Sequence, residues 1–499
     1  MMETTWNGSA AQGRRQLLSS VTLGALLMAV GFAAVRPLSP EYREVAAPLL
    51  VMVGIATAFW YALYLRDGRP PAFEIGSFCM VGTFAYAALP LLWFMLGGLE
   101  FTVLSARRLY KLDPTVTEFT AIGWMHVVYM AALACAYLGF RTRRPAPTLT
   151  TMRVSKQQIT ALVLMLILLN LFFIAVRFLY GVNFAATYDD ALTKAYAAYR
   201  DLPLVVQQVI ARALQIRIIV NCCVMVFLVR YWRRPGCRLA IILWLAYATV
   251  DYFLNPGGRF TLLALFVALL LAYARFVGTP RLSRLALGLG LLFVAFIGAG
   301  FLRGGASLFE GVQSFDVLEG ASTFFTVSNE FQISYASALE LDHMIRTGQI
   351  DTVPWQVYLS ELQLLVPQQF LPFEKIDPVE WALFVTNDDD YFNFGAIAQS
   401  VLGLGWVELI LRGGIVGAAF ALVHNWWAQK PAEFWRNCLY VWLAIVSYNS
   451  IRNQSLFLLT WVVTSFVPVV LVVTVLSRML ARVPRQPPDG RPLPAECDA

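Results

Sequence analysis

Runs of about 20 mostly apolar residues recur along this chain, and that is the length an α-helix needs to cross the hydrocarbon of a bilayer. They fall near 17–35, 46–65, 73–96, 119–140, 158–180, 209–229, 239–254, 260–275, 285–302, 406–427, 437–450 and 456–476. Inside lipid the backbone has no water to bond, so a spanning segment is a helix or part of a closed barrel, and runs this long are helices. The expected fold is an all-α, polytopic transmembrane bundle of about 12 spans. Composition agrees: 14% of residues are charged, against about 25% in a soluble domain. With 59% hydrophobic residues and a mean hydropathy of +0.63, the 499 residues form one membrane domain rather than several soluble ones.

Basic residues fix the orientation. Arg66 and Arg69 lie in one loop, and Arg141, Arg143, Arg144, Arg153 and Lys156 in the next but one. The alternation continues with Arg230, Arg233, Arg234 and Arg238, with Arg275, Arg281 and Arg284, with Lys430 and Arg436, and with Arg478, Arg482 and Arg485. By the positive-inside rule these loops and both termini are cytoplasmic. The net charge of +7 therefore sets topology and gives no nucleic-acid signal. Arg14 and Arg15 faintly resemble a twin-arginine export signal, but they read as the anchor of a retained first span.

The expected division is nine spans with short loops over 1–302, one long external loop over 303–405, three last spans over 406–476, and a disordered tail over 477–499. The long loop carries helical stretches near 328–347 and from Pro354 to about Leu365, the second with Pro at a helix-start position. Residues 391–405 are apolar, Gly-rich and short for a span, so they re-enter the membrane or lie at its interface. There is no internal repeat, which weighs against a transporter built from inverted halves.

Seven cysteines without a CxxC, and only three histidines, support neither a disulfide framework nor a zinc site. No metal and no cofactor is expected.

The candidate chemistry lies with arginines on the external face, where the positive-inside rule expects depletion. Asn255-Pro256-Gly257-Gly258-Arg259 is a tight turn opening a span. Gly257 and Gly258 let a phosphate approach the backbone, the helix start offers free N–H groups, and Arg259 adds a full charge. Arg303, followed by Gly304 and Gly305, ends the ninth span, and Arg452 with Asn453 joins the last two. Guanidinium forks bind phosphate oxygens in pairs, so three arginines on one face suit a pyrophosphate. The bland reading of each is a turn or an interfacial anchor. Arg217 is deep enough to need a partner, either a lipid phosphate or Asp251, while Arg177 reads as a snorkelling residue.

On the loop, His343, Glu330, Asp342 and Glu361 are groups that can take a proton from a hydroxyl, weighed against a solvated helix face. The run Asn387-Asp388-Asp389-Asp390 reads as a solvated or sugar-binding loop rather than a metal site. Tyr391 and other loop aromatics suit sugar rings and equally suit the lipid interface. His126 and His424 lie in apolar runs and read as packing residues.

The Gly-Gly-Arg turn at 257–259, the long late loop, the run Leu365-Val366-Pro367-Gln368-Gln369-Phe370-Leu371-Pro372-Phe373-Glu374-Lys375, and Tyr391-Phe392-Asn393-Phe394-Gly395 together resemble bacterial O-antigen or oligosaccharide repeat-unit polymerases of the Wzy type. The resemblance covers most of the chain from about residue 160 and rests more on topology than on strict motifs. It implies a GT-C-like helical fold in the bacterial inner membrane, with the active site on the periplasmic face. It implies a glycosyltransferase whose donor is a glycan on undecaprenyl pyrophosphate, and a chain-length regulator as a candidate partner. Arg259 and Arg303 would hold the donor pyrophosphate, with Arg452 and Arg217 in support. O-antigen ligases share this layout and tend to carry a loop histidine, a place His343 fills; a lipid-linked oligosaccharide transporter or flippase is the non-enzyme alternative.

Overall fold

The computed structural model describes residues 4–67, 74–97, 115–142, 152–179, 204–254, 259–278, 330–364, 366, 395–430, 432–453 and 456–482. The described elements are helical; the one β contact among them is an isolated bridge between Arg153 and Glu433. In chain order, α1 is Thr4–Val35, α2 Pro40–Asp67, α3 Ile75–Gly97, α4 Val116–Phe140, α5 Lys156–Leu179 and α6 Leu204–Arg230. Then come α7 Pro235–Leu254, α8 Arg259–Phe276, α9 Glu330–Arg346, α10 Pro354–Leu364, α11 Ala396–Leu402 and α12 Trp406–Gln429. The described chain ends with α13 Phe434–Val446, α14 Asn449–Arg452, α15 Phe457–Trp461, a π-helical turn Val462–Phe466, and α16 Val467–Arg482.

Among the described residues eight helices are long and apolar enough to cross a membrane, which makes the protein a multi-span helical bundle. The apolar runs 239–254, 260–275 and 437–450 fall on α7, α8 and α13, helices of 20, 18 and 13 residues. The expected span at 285–302 lies outside the described residues. Helix α16 continues to Arg482, so helix extends into the segment that reads as tail.

Helix α12 packs most closely on α4, and the reason is two glycines one turn apart. A Cβ on Gly413 would meet the Tyr129 carbonyl and Ala132, and one on Gly417 the Leu133 carbonyl and Ala136. Small residues four apart let membrane helices approach closely enough for backbone contact. The register rises together on both helices, so α4 and α12 run parallel. Helices α2 and α3 complete this group, and α13 joins it to α6 and α8.

Charged groups clamp both ends of the pair. At one end, here the basic end, Arg141 follows α4 and is 0% exposed. Its guanidinium bonds Asp67 at the end of α2 and, at 2.9 Å, Glu74 before α3. Tyr137 Oη donates to Glu74 at 3.1 Å. His424 Nδ1 lies 3.0 Å from Tyr440 Oη and 4.0 Å from Glu74 Oε2. Asn425 bonds the Phe140 carbonyl and the Thr142 N–H, tying the last turn of α12 to the end of α4. The sequence reads His424 as a packing residue; the structure puts it in this charged network, because Glu74 and Tyr440 come to it from distant parts of the chain. His126 does pack: its ring stacks on Tyr335 with centroids 5.3 Å apart.

Removing one partner of a buried ion cluster leaves the others uncompensated, at about 3–5 kcal/mol. Arg141→Ala is expected to lower the yield of folded, monodisperse protein and its thermal midpoint sharply. Gly417→Leu is expected to do the same by overpacking, at about 1–3 kcal/mol. Fluorescence-detected size exclusion with a melting curve reads both, and a wild-type midpoint in either variant would show that the clamp or the close approach is dispensable.

Candidate functional site

The other end of the α4–α12 pair carries the described helices of the long loop and is called the loop end here. Thr115 caps α4 in a reciprocal box: its Oγ1 accepts from Glu118 N at 3.2 Å, and Glu118 Oε2 accepts from Thr115 N at 3.0 Å. The second Glu118 oxygen lies 3.2 Å from His343 Nδ1 on α9. A capping box is a local device; here it also docks the loop helix. Tyr335, two turns earlier on α9, donates from Oη to the Phe119 carbonyl at 2.6 Å. Because Tyr335 also covers His126, α9 runs against α4 with its N-terminal half directed into the bundle. The sequence leaves this helix open to being a solvated face; instead Ser334 to Leu339, Leu341, Asp342 and Met344 are buried.

Helix α10 is held by a second buried charge knot. Arg412 on α12 bonds Glu361 on α10 and Glu408 one turn back on its own helix. Glu408 also accepts from Tyr358 Oη at 3.0 Å and from Leu404 N at 2.9 Å. That last bond closes the α11–α12 turn, where Gly405 adopts a φ of +61°, a conformation open to glycine at little cost. Val353 N donates to the Leu402 carbonyl at 2.7 Å, so α10 and α11 meet at their ends.

Three interrupted elements converge in this half of the bundle: the start of α9, α11 and α14. A Cβ on Gly395, just before α11, would sit 2.7 Å from the Ile451 carbonyl and 3.7 Å from Ser334 Cβ. Only glycine permits that approach. The residues Asn449, Ser450 and Ile451 of α14 are 1%, 0% and 2% exposed. Tyr129, near the middle of α4, donates to the Ser450 carbonyl at 3.2 Å. The Asn449–Asn453 segment reads in the sequence as an external turn; in the structure its first three residues are buried against neighbouring helices. Within the 391–405 segment, Ala396–Leu402 form a helix, α11, whose residues are all buried.

The loop helix α9 carries two carboxyls that burial perturbs, Glu340 and Asp342. Burial pushes Glu340 from 4.5 up to about 7. Burial also raises Asp342, although Arg346 at 2.8 Å opposes it. Among the described residues no group of three His, Cys, Asp or Glu is placed to hold a metal ion.

The expected arginine site is described only in part. Arg259 begins α8 and Glu330 begins α9, but the side chains of both lie outside the described residues. The same holds for Gly257, Gly258, Arg303, Tyr391, the acidic run Asn387–Asp390 and the Asp251 side chain. Arg217 is buried on α6, with its guanidinium 5.3 Å from the Phe173 ring and Nη2 3.5 Å from Tyr247 Oη. Arg212 instead ties α6 to the π turn, donating to Thr464 Oγ1 at 3.0 Å. Arg452 is half-buried at the end of α14, and Asn453 Nδ2 donates to Asn449 Oδ1 at 3.0 Å. Arg217 thus works among α5, α6 and α7, and Arg452 beside α3, α11 and α15.

Sequence reasoning missed Arg412 and Glu408, although two opposite charges four apart inside an apolar run are a readable signal. Glu340 gave none, because its perturbation comes from burial of the whole helix. No family model, curated protein or solved structure matches the chain.

The Glu340 carboxyl gives a pH signature. Its folded value is raised, so between 4.5 and about 7 the folded state holds a proton that the unfolded chain has released. The associated stability is complete below that window and declines as pH rises through it. Glu340→Gln is expected to melt close to wild type at about pH 5 and above it at about pH 8, either side of that window. Thermal unfolding in nanodiscs across that range checks this, and parallel curves would mean Glu340 titrates normally.

Proposed function

We propose that the protein is a membrane glycosyltransferase that polymerises oligosaccharide repeat units carried on undecaprenyl pyrophosphate, as the Wzy-type enzymes it resembles do. In this reading the loop end faces the periplasm and the basic end the cytoplasm of the bacterial inner membrane. The observation that carries the proposal is the insertion of α9 and α11 into one end of an apolar bundle, bringing a carboxyl poised near neutrality to the end where the arginine-bearing turn before α8 is expected.

The chemistry follows from those groups. A hydroxyl of the acceptor repeat unit attacks the anomeric carbon at the reducing end of the donor. The new C–O bond forms as the bond to pyrophosphate breaks, and that electron pair leaves with undecaprenyl pyrophosphate. Arg259 and Arg303, supported by Arg452, stabilise the developing phosphate charge through fixed donors, which is the effective form of electrostatic catalysis. Glu340 in its ionised form takes the hydroxyl proton. A base with a pKa near the working pH combines useful basicity with a large ionised fraction. His343, tied to the Glu118 cap, positions α9. The glycan carriers, the bilayer and a chain-length regulator are the partners this reading names.

A ligase would use the same donor and the same loop histidine. A flippase reading draws on the break between α13 and α14, since interrupted helices at depth also build transport sites. One gel separates the three. A deletion strain is complemented with wild type, Arg259→Ala, Arg303→Ala or Glu340→Gln at matched expression, and its polysaccharide is displayed. A wild-type ladder that collapses to single repeat units in the variants is the expected outcome. Polymer retained on its lipid carrier in the deletion strain would indicate a ligase, and repeat units trapped on the cytoplasmic side a flippase.

A further inference from the structure

Beyond the charged residues, the loop-end half of the bundle holds a group of neutral polar side chains that the mechanism above does not use. Ser334 on α9, Gln399 on α11 and Asn449 on α14 are 8%, 1% and 1% exposed. Ser334 Oγ, both amide atoms of Gln399, and Asn449 Nδ2 reach no hydrogen-bond partner among the described residues. The three helices meet at Gly395, whose missing side chain lets Ser334 Cβ and the Ile451 carbonyl close on one point. Gln399 lies one turn beyond Gly395 on the same face of α11, and Asn449 two residues before Ile451. The remaining Asn449 oxygen is engaged by Asn453 at 3.0 Å, which leaves its NH₂ to donate elsewhere.

Buried polar atoms are ordinarily paired, and a group of unpaired ones calls for an occupant. Every member is neutral and the set mixes donors with acceptors: an amide oxygen, two amide NH₂ groups and a hydroxyl. Such a set does not select an anion. It complements a ligand whose groups both donate and accept, and sugar hydroxyls do so. We propose that Ser334, Gln399 and Asn449 line a subsite for a neutral sugar ring of the glycan, separate from the arginines that hold its pyrophosphate. The proposal rests on the glycosyltransferase reading for the identity of the ligand. It adds that the glycan is gripped inside the bundle, between α9, α11 and α14.

The test uses full-length protein in nanodiscs and a lipid-free, phosphate-free probe, the oligosaccharide repeat released by mild acid from the host's own surface polysaccharide. Gln399→Leu and Asn449→Leu remove the polar atoms at similar volume. Gln399→Leu relieves two unpaired buried atoms and is expected to melt at or above wild type, whereas Asn449→Leu also removes the acceptor of Asn453 Nδ2 and is expected to melt at or slightly below it; each is expected to bind the probe about tenfold more weakly. Wild-type protein that does not bind the probe overturns the proposal. So does unchanged affinity in stable variants, which would mean that the group holds ordered water only. If a variant fails to fold, Ser334→Ala, the smallest change, is read in the same assay, and wild-type affinity there overturns the proposal too. Failure of the polymerase reading is visible separately: a deletion strain that keeps its full ladder while Gln399→Leu loses probe binding would leave the subsite standing and the reaction assignment fallen.

Discussion

Everything above the level of single helices follows from the close parallel contact of α4 and α12. Gly413 and Gly417 remove side chains where the Tyr129 and Leu133 carbonyls pass, and the two backbones come together. Lipid supplies no hydrophobic drive for helices to associate, so packing of this kind is what holds them. Once the pair is parallel, its two ends are fixed platforms. Arg141 gathers the ends of α2, α3 and α4 on one side, and Arg412 gathers α10 and the α11–α12 turn on the other. Ion clusters buried this way hold firmly because loss of any member strands a charge.

That arrangement explains how an apolar bundle can carry polar chemistry. Helices α9 and α10 are anchored because α4 and α12 offer them partners at the rim: Glu118 for His343, the Phe119 carbonyl for Tyr335, Arg412 for Glu361. Helix α11 follows them inward, tied to α10 through Val353 and closed against α12 by Glu408. Each contact satisfies a group that would otherwise be costly at depth. The turn between α13 and α14 is packed among protein: Ser447 is buried, and α14 lies against α3, α11 and α15. The result is an interior with a carboxyl near neutrality and a set of neutral donors and acceptors further in.

Several features were legible in the sequence for clear reasons. The eight long helices follow from the run length of apolar residues, and the loop helices from their polar–apolar alternation and the Pro354 start. The proposed site draws on the sequence and on the structure in different ways. Arginines against the topological bias can be seen in a string of letters; the burial that shifts Glu340 cannot, because it depends on which face α9 turns to α3, α4 and α11. Arg141 reads as one more basic residue in a basic loop, and its role appears only when Asp67 and Glu74 are brought to it. The burial of Asn449, Ser450 and Ile451 is equally invisible in the sequence, because the helices that cover them come from distant parts of the chain.

Local pattern is enough to make this chain a multi-span helical membrane protein, since that follows from apolar run length and the backbone's need to bond itself. Which helices touch, and what they bury, is settled only in three dimensions: the α4–α12 pair, the two arginine knots, and the inward course of α9, α11 and α14. Those depend on contacts between residues far apart in the chain, where a missing Cβ at Gly395 or Gly417 sets a distance that no local pattern encodes.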